Sequence, residues 1–288
     1  MIGEVSALMG RELRKLVRSP ALLLMTMIQP VLWMGLYGKA FNLTGMFSIP
    51  EDLLSRLPPD SLRVVSSAFN AALTRFFGSP EVDYFSYVAT GMAGVIVLFV
   101  SVFSGMSVAW DRRLGFINKL LAAPISRFSI VLSKVLASAV RAMVQSGLVV
   151  LTAIALGLRL DTAGPVAVLL GFTALALLSI ALSSLIIAIT LRLKNWEYHV
   201  ALANLLNLPL MFTSSALYPR AIIPDWMRPI TDINPLTHAI EVLRSSLLYG
   251  QSFDLMASLN HLAYLAAFSA LCVVVGSYFA YGTLNAER

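Results

Sequence analysis

The sequence predicts an all-α polytopic membrane protein, on three observations. Hydrophobic residues make up 58% of the chain and charged residues 12%, with a mean hydropathy of +0.80. One soluble core of 288 residues cannot hide that much apolar surface, so lipid must solvate a large part of it. Apolar runs of about twenty residues, enough to cross a bilayer at about 1.5 Å per residue, recur at 21–41, 85–109, 134–157, 166–191, 198–218 and 258–281. Basic residues gather in the short stretches between those runs. Six transmembrane helices in a single membrane domain over 1–288 is the architecture these imply.

Each element has its own signal. Residues 1–19 carry Glu4, Arg11, Glu12, Arg14, Lys15 and Arg18, with Val5, Leu8, Met9, Leu13, Leu16 and Val17 at three- and four-residue spacing. This is the pattern of an amphipathic helix lying in the headgroup plane, and it lacks the apolar core and small-residue site of a cleavable signal peptide. Ser19-Pro20 caps that helix's successor, and Pro30 is expected to kink the first span by removing a backbone donor. Residues 42–84 form the longest loop, with Pro58-Pro59 and then Leu62, Val65, Phe69, Leu73 and Phe76 at helical spacing. Asn42-Leu43-Thr44 within it matches a glycosylation sequon, a motif common by chance. Residues 219–254 hold Pro219, Pro224, Pro229 and Pro235 and then an amphipathic stretch from Leu236 to Leu248, the signature of short broken helices at an interface before the last span.

Orientation follows from Lys and Arg near the spans. The clusters Arg11, Arg14, Lys15, Arg18 and Arg112, Arg113, Lys119, Arg127, Lys134 outweigh the basic residues of the opposite connections. Both termini and 111–133 are therefore expected in the cytoplasm, and 42–84 and 219–254 outside. The net charge of +6 and pI near 9.6 express this bias, and no basic helix free of the bilayer points to nucleic acid.

The segment Asp111 to Arg127 is the most distinctive. It is a short basic, amphipathic block between two spans, with Leu114, Ile117, Leu120 and Leu121 expected on one helical face, Arg112, Arg113 and Lys119 around the other, and Pro124 closing it.

Catalytic constellations are missing. Gly38-Lys39 lacks the upstream glycine and the following hydroxyl of a phosphate loop, with Trp33 and Ala40 standing there. His199, His238 and His261 form no His-Glu-x-x-His pattern; His238 and Glu241 share a helix face, a spacing that serves an ordinary hydrogen bond as readily as a metal. Ser104-Gly105 and Ser146-Gly147 lack the context of an intramembrane protease and suit helix packing. The single cysteine, Cys272, excludes an intrachain disulfide. No cofactor or metal site is expected on this chain.

Polar residues inside the spans carry more weight. Ser101, Ser104 and Ser107 share one side of the second span, and Asn204 and Asn207 one side of the fifth; both sets are candidates for lining a translocation path. Arg141, in the third span, either snorkels to the cytoplasmic interface or faces the bundle and pairs with Asp111 or Glu197.

The amphipathic N-terminal helix, the block from Asp111-Arg112-Arg113-Leu114-Gly115 through Pro124-Ile125-Ser126-Arg127 to Lys134, and the run Leu217-Tyr218-Pro219, Pro224-Asp225-Trp226-Met227, Asn234-Pro235-Leu236-Thr237-His238 to Arg244 occur in that order. In this the chain resembles, over nearly its whole length, the membrane subunit of the type-two ABC exporter family, which includes drug-resistance, nodulation-factor and polysaccharide exporters. The resemblance implies a permease subunit of the cell membrane that dimerises with a second copy or a related permease. It also implies separate ATPase subunits that hold ATP and Mg and do the hydrolysis, this chain being no enzyme itself. The 111–127 block would then be a cytoplasmic coupling helix, with Leu114, Ile117 and Leu120 filling a groove of the motor and Arg112, Arg113 and Lys119 steering the contact. The main alternative is an ion-coupled secondary transporter, whose mid-membrane carboxylates and repeat symmetry the sequence does not display.

Overall fold

The computed structural model describes residues 2–40, 58–193 and 195–286, and these are helical, with no β-strand among them. The sequon and the first part of the expected 42–84 loop lie outside the described residues.

Helix α1 (Ile2–Val17) is followed by α2 (Pro20–Trp33), which has proline in its first turn where no backbone donor is needed. Pro30 sits inside α2, and four residues later α geometry gives way to a π-helical stretch, Met34–Ala40. Helix α3 (Pro59–Phe77) occupies the helical spacing of the long loop. Helix α4 (Tyr84–Arg113) starts on Asp83, whose carboxylate accepts the Ser86 N–H at 3.0 Å. A short helix α5 (Phe116–Ala122) connects it to α6 (Arg127–Ala155), capped by Ser126 accepting the Ser129 N–H. Then come α7 (Pro165–Thr190), α8 (Trp196–Phe212), α9 (Arg228–Ile233), α10 (Pro235–Leu248) and α11 (Leu255–Ala286).

Four of these, α4, α6, α7 and α11, are long and apolar enough to cross a membrane. The two remaining expected spans are built differently. The first is α2 plus the π stretch, and the fifth, α8, ends at Phe212 instead of running to 218. Pro209 lies in its last turn, and its carbonyl is taken by both the N–H and the hydroxyl of Thr213, which closes the helix.

Helices α4 and α7 form the interior, with α6, α10 and α11 packed around them and α1 lying on α6. Close approach is made possible by small residues: a Cβ at Gly91 would overlap the carbonyl of Ala216, so only glycine lets α4 meet the chain after α8. Ser146 on α6 donates to the Ala93 carbonyl on α4 at 2.9 Å, a packing role.

One expectation is corrected by burial. Helix α10 does not lie on the surface as an interfacial helix. Leu236, Ala239, Ile240, Val242, Leu243 and Arg244 are all fully buried against α4, α7 and α11, so the helix plugs one end of the bundle. Its polar positions mislead because several of them bond inside the bundle, Glu241 with Arg244 and the Ser215 hydroxyl, and Ser246 with the Leu243 carbonyl.

Candidate functional site

At one end of the bundle, α4 turns through α5 into α6, and the turn is made by Gly115. Its φ of 67 is left-handed, which ends α4 and redirects the chain into α5. Leu114 and Ile117 therefore do not share a face. Ile117 points inward, 2% exposed, into a cluster with Val108, Val131, Val135, Ile187 and Leu191. Leu120 is 7% exposed and packs near Leu8 of α1 and Ile130 of α6. These two side chains are not available to fill a partner's groove, and that part of the expected docking face is corrected. The outward surface of α5 and its flanks presents Arg113, Leu114, Asn118 and Lys119, with Leu114 73% exposed. Arg112 is turned back, donating to the Leu191 carbonyl at 2.6 Å, which ties the elbow to the end of α7.

Beneath the elbow an ion cluster joins α1, α4 and α6. Lys134 reaches Asp111 at 2.6 Å, donates to the Ser107 hydroxyl at 3.0 Å and lies 3.5 Å from Glu12. Arg11 grips both oxygens of Asp111, at 3.1 and 3.3 Å, and its guanidinium lies 3.5 Å from the centre of the Phe116 ring. Lys15 adds a bond to Glu12 at 3.0 Å, and Ser107 donates to the other Glu12 oxygen at 3.2 Å. The two carboxylates are almost wholly buried, while Arg11 and Lys15 reach solvent. Burial alone would raise the Glu12 carboxyl, but Lys134 and Lys15 outweigh it and hold the group below its ordinary value. Helix α1 is thus held to the elbow by charge, and Glu12 is its buried anchor. Helical spacing by itself puts Glu12 on the solvated face of an interfacial helix; a lone acid among basic residues is the only sequence signal of its role.

The other candidates separate. Ser101 donates to the Val97 carbonyl at 2.6 Å and its oxygen lies 2.8 Å from the Ser179 hydroxyl of α7, and Ser104 bonds to the Ser101 carbonyl at 2.6 Å; both are buried inside the protomer, where they join helices. Ser107 belongs to the ion cluster. On α8, Asn204 is exposed, whereas Asn207 is buried with its Oδ1 unpartnered. Arg141 does not pair with Asp111, whose oxygens are taken by Arg11 and Lys134, or with Glu197. It borders a cavity of 640 Å³ between α1, α2, α4 and α6.

At the opposite end Arg244 of α10 is 0% exposed. It donates to Glu241 at 2.7 Å and to the Ser215 carbonyl at 2.9 Å, and its guanidinium stacks 3.5 Å over the Tyr87 ring. Ser215 completes Glu241 at 2.6 Å. Glu241 therefore serves Arg244, and His238 instead faces His261, Nδ1 to Nδ1 at 2.6 Å, while its Nε2 meets the Asp232 carbonyl at 2.8 Å. Because Nε2 must donate there, a neutral His238 accepts from His261. Among the described residues no group of three metal-type ligands gathers.

A helical bundle with several helices long and apolar enough to span, a charged elbow at one end and a buried plug at the other has the build of an integral membrane protein. The chain belongs to the ABC-2 type transporter family, whose profile matches residues 3–248. A transport permease, ycf38, of Cyanophora paradoxa is 32% identical over 258 residues, 89% of this chain and 78% of that one. Nodulation protein J of Sinorhizobium fredii is 24% identical over 193 residues, 66% of this chain and 71% of its own. The doxorubicin resistance ABC transporter permease protein DrrC of Mycobacterium tuberculosis is 23% identical over 232 residues, 77% and 83% respectively.

Proposed function

We propose that this chain is the membrane subunit of an ATP-driven exporter of the cell membrane, working as a dimer and coupled to separate ATPase subunits that carry ATP and Mg. The family match over most of the chain is the observation that carries this reading; the relatives named for drug resistance or for nodulation support it without fixing a substrate. The elbow end, with both termini and 111–133, is assigned to the cytoplasm by its excess of Lys and Arg, and the α10 end to the outside. Counting 20–40 and 196–212 as spans brings the total to six per subunit. Exposed Leu24, Ile28 and Leu32 on α2 and Leu205 and Leu208 on α8, with Asn204 beside them, suit contact with a second copy or an aqueous path, since an amide facing lipid alone lacks partners.

Coupling works through the elbow in two layers. Arg113, Leu114, Asn118 and Lys119 meet the motor; Ile117, Leu120 and the Lys134–Asp111–Arg11 cluster pass its movement inward to α4, α6 and α1. Nucleotide-driven closure of two motors would then tilt the α4–α6 hairpin as a unit. The test is co-expression with candidate P-loop ATPase subunits, followed by reconstitution in vesicles. Stable co-purification and ATP-dependent export of a dye or lipid are expected; uptake driven by an ion gradient with no ATPase present would establish the secondary-transporter alternative instead.

A further inference from the structure

The 640 Å³ cavity bounded by α1, α2, α4 and α6 is of ligand size, within the roughly 300–1,000 Å³ of small-molecule sites. Its walls are apolar, supplied by Leu16, Leu23, Ile96, Phe99, Val100 and Phe103, and Met25 and Phe103, both exposed, stand at its lip between α2 and α4. Its polar end holds two groups whose bonding is incomplete. Gln145 is 3% exposed and spends its amide N–H on the Thr26 hydroxyl at 3.1 Å, leaving Oε1 buried with no donor. Arg141, one turn away on α6, has its Nε buried without an acceptor and no carboxylate within ion-pair distance among the described residues. Buried polar groups left in this state are costly and point to a missing partner.

Charge points the same way. Around this end Arg11, Lys15, Lys134 and Arg141 stand against Glu12 and Asp111, four cations to two carboxylates, and the two acids are already engaged by the first three. An anion next to Arg141 would balance the set, and a hydroxyl or amide N–H beside that anion would satisfy Gln145.

We propose that this cavity binds a single-chain anionic amphiphile, with its phosphate or carboxylate at Arg141 and Lys15, a neighbouring hydroxyl on Gln145 Oε1, and its hydrocarbon chain along α2 and α4 toward the lip. The site lies within one subunit and needs neither nucleotide nor motor, so it stands or falls independently of the exporter reading. The same chemistry is carried by a lysophospholipid drawn from the membrane or by free phosphate, and the probes separate them.

The experiment is native mass spectrometry of the full-length protein released from nonionic detergent, with oleoyl lysophosphatidate, oleoyl lysophosphatidylcholine and inorganic phosphate as probes. Lysophosphatidate is expected to form a 1:1 adduct, with lysophosphatidylcholine, which has the same chain and hydroxyl but a phosphodiester whose single charge is offset by its choline cation, at least about tenfold weaker, as the loss of net negative charge beside Arg141 and Lys15 predicts, and phosphate alone not retained. Arg141→Gln should weaken lysophosphatidate about tenfold and Arg141→Lys recover part of it, while Gln145→Leu should cost a few-fold, the scale of one neutral hydrogen bond. Leu23→Trp fills the apolar part and should abolish binding without touching a charge, which keeps the test valid if the arginine variant folds poorly. Arg63→Gln, exposed on α3, should bind as the parent does. Equal binding of the two lysolipids, or undiminished lysophosphatidate binding in both Arg141→Gln and Leu23→Trp, overturns the proposal.

Discussion

The two ends of the bundle hold their charges in opposite ways. Arg244 is sealed: it is fully buried, contacts a carboxylate, a backbone carbonyl and a ring face, and comes from a helix packed on three sides. The elbow cluster is shared and open at its rim, with two buried carboxylates divided among Arg11, Lys15 and Lys134, of which Lys15 and Arg11 touch solvent. A sealed ion is a fixed rivet, since moving it strands charge in a low-dielectric interior. A shared cluster can exchange partners at small cost, and that suits an element expected to move.

Removing the rivet should have the largest effect. Arg244→Met leaves Glu241 without its cation and takes one of two donors from the Ser215 carbonyl, and breaking a buried ionic group costs about 3–5 kcal/mol. A sharp fall in folded yield and thermal midpoint in detergent is the expected outcome, and a midpoint within a degree or two of the parent would show that the two ends do not differ as described.

Next comes Ile117→Asp. Because Ile117 is enclosed by the α4, α6 and α7 side chains, an unpaired carboxylate there costs several kcal/mol, about the same order as the Arg244 loss. The substitution should destabilise the subunit by itself, before any motor is added, as read by thermal unfolding. Leu114→Asp, three positions earlier, should leave the midpoint unchanged because Leu114 is in solvent.

Asp111→Asn should be milder, about 1–3 kcal/mol, because Lys134 and Arg11 keep Glu12, water or the amide oxygen as partners. Its signature is local: α1 loosens, and protease cuts near Arg14 and Arg18 faster while the spans stay intact. Acid should do the same through Glu12. Its carboxyl is held below the ordinary 4.5, so its contribution to docking is complete above that value and is lost as the pH falls below it through the lowered pKa. Faster cleavage of α1 below about pH 4, absent in Glu12→Gln, is the expected result.

The smallest effect belongs to Gly115→Ala. A Cβ there meets nothing within 4 Å, so the cost is the left-handed backbone alone, about 1 kcal/mol. A shift of that size, with motor association reduced by misdirection of α5, sharpens the assignment of Gly115 as the residue that aims the elbow.

How much of this is legible in the sequence depends on whether the signal is local. Proline at the start of α2, the amphipathic spacing of α1, the basic block at 111–127 and the helical spacing of α3 are local patterns, and helices stand there. The family is legible from the same motifs. The direction of Ile117 is not, because a single left-handed glycine rotates the helix after it while leaving the hydrophobic spacing unchanged. Asp111 is a reasonable partner for Arg141 by sequence, but across-bundle pairing with Arg11, 100 positions away, leaves no periodic trace. The end of α8 and the burial of α10 escape for a related reason: Thr213 and Arg244 satisfy carbonyls that sequence alone assigns to water or to a continuing helix.

The central claim is that the outward face of the elbow, and not its buried face, meets the motor. The most direct measurement is affinity capture of an ATPase subunit that the parent captures, by the detergent-solubilised subunit carrying Leu114→Asp with Lys119→Glu, compared with the parent at low and moderate salt. The account predicts an unchanged thermal midpoint together with at least about a tenfold loss of captured ATPase, as expected when an exposed apolar anchor and its steering charge are both reversed. Full capture at both salt concentrations, from a normally folded double variant, would contradict it.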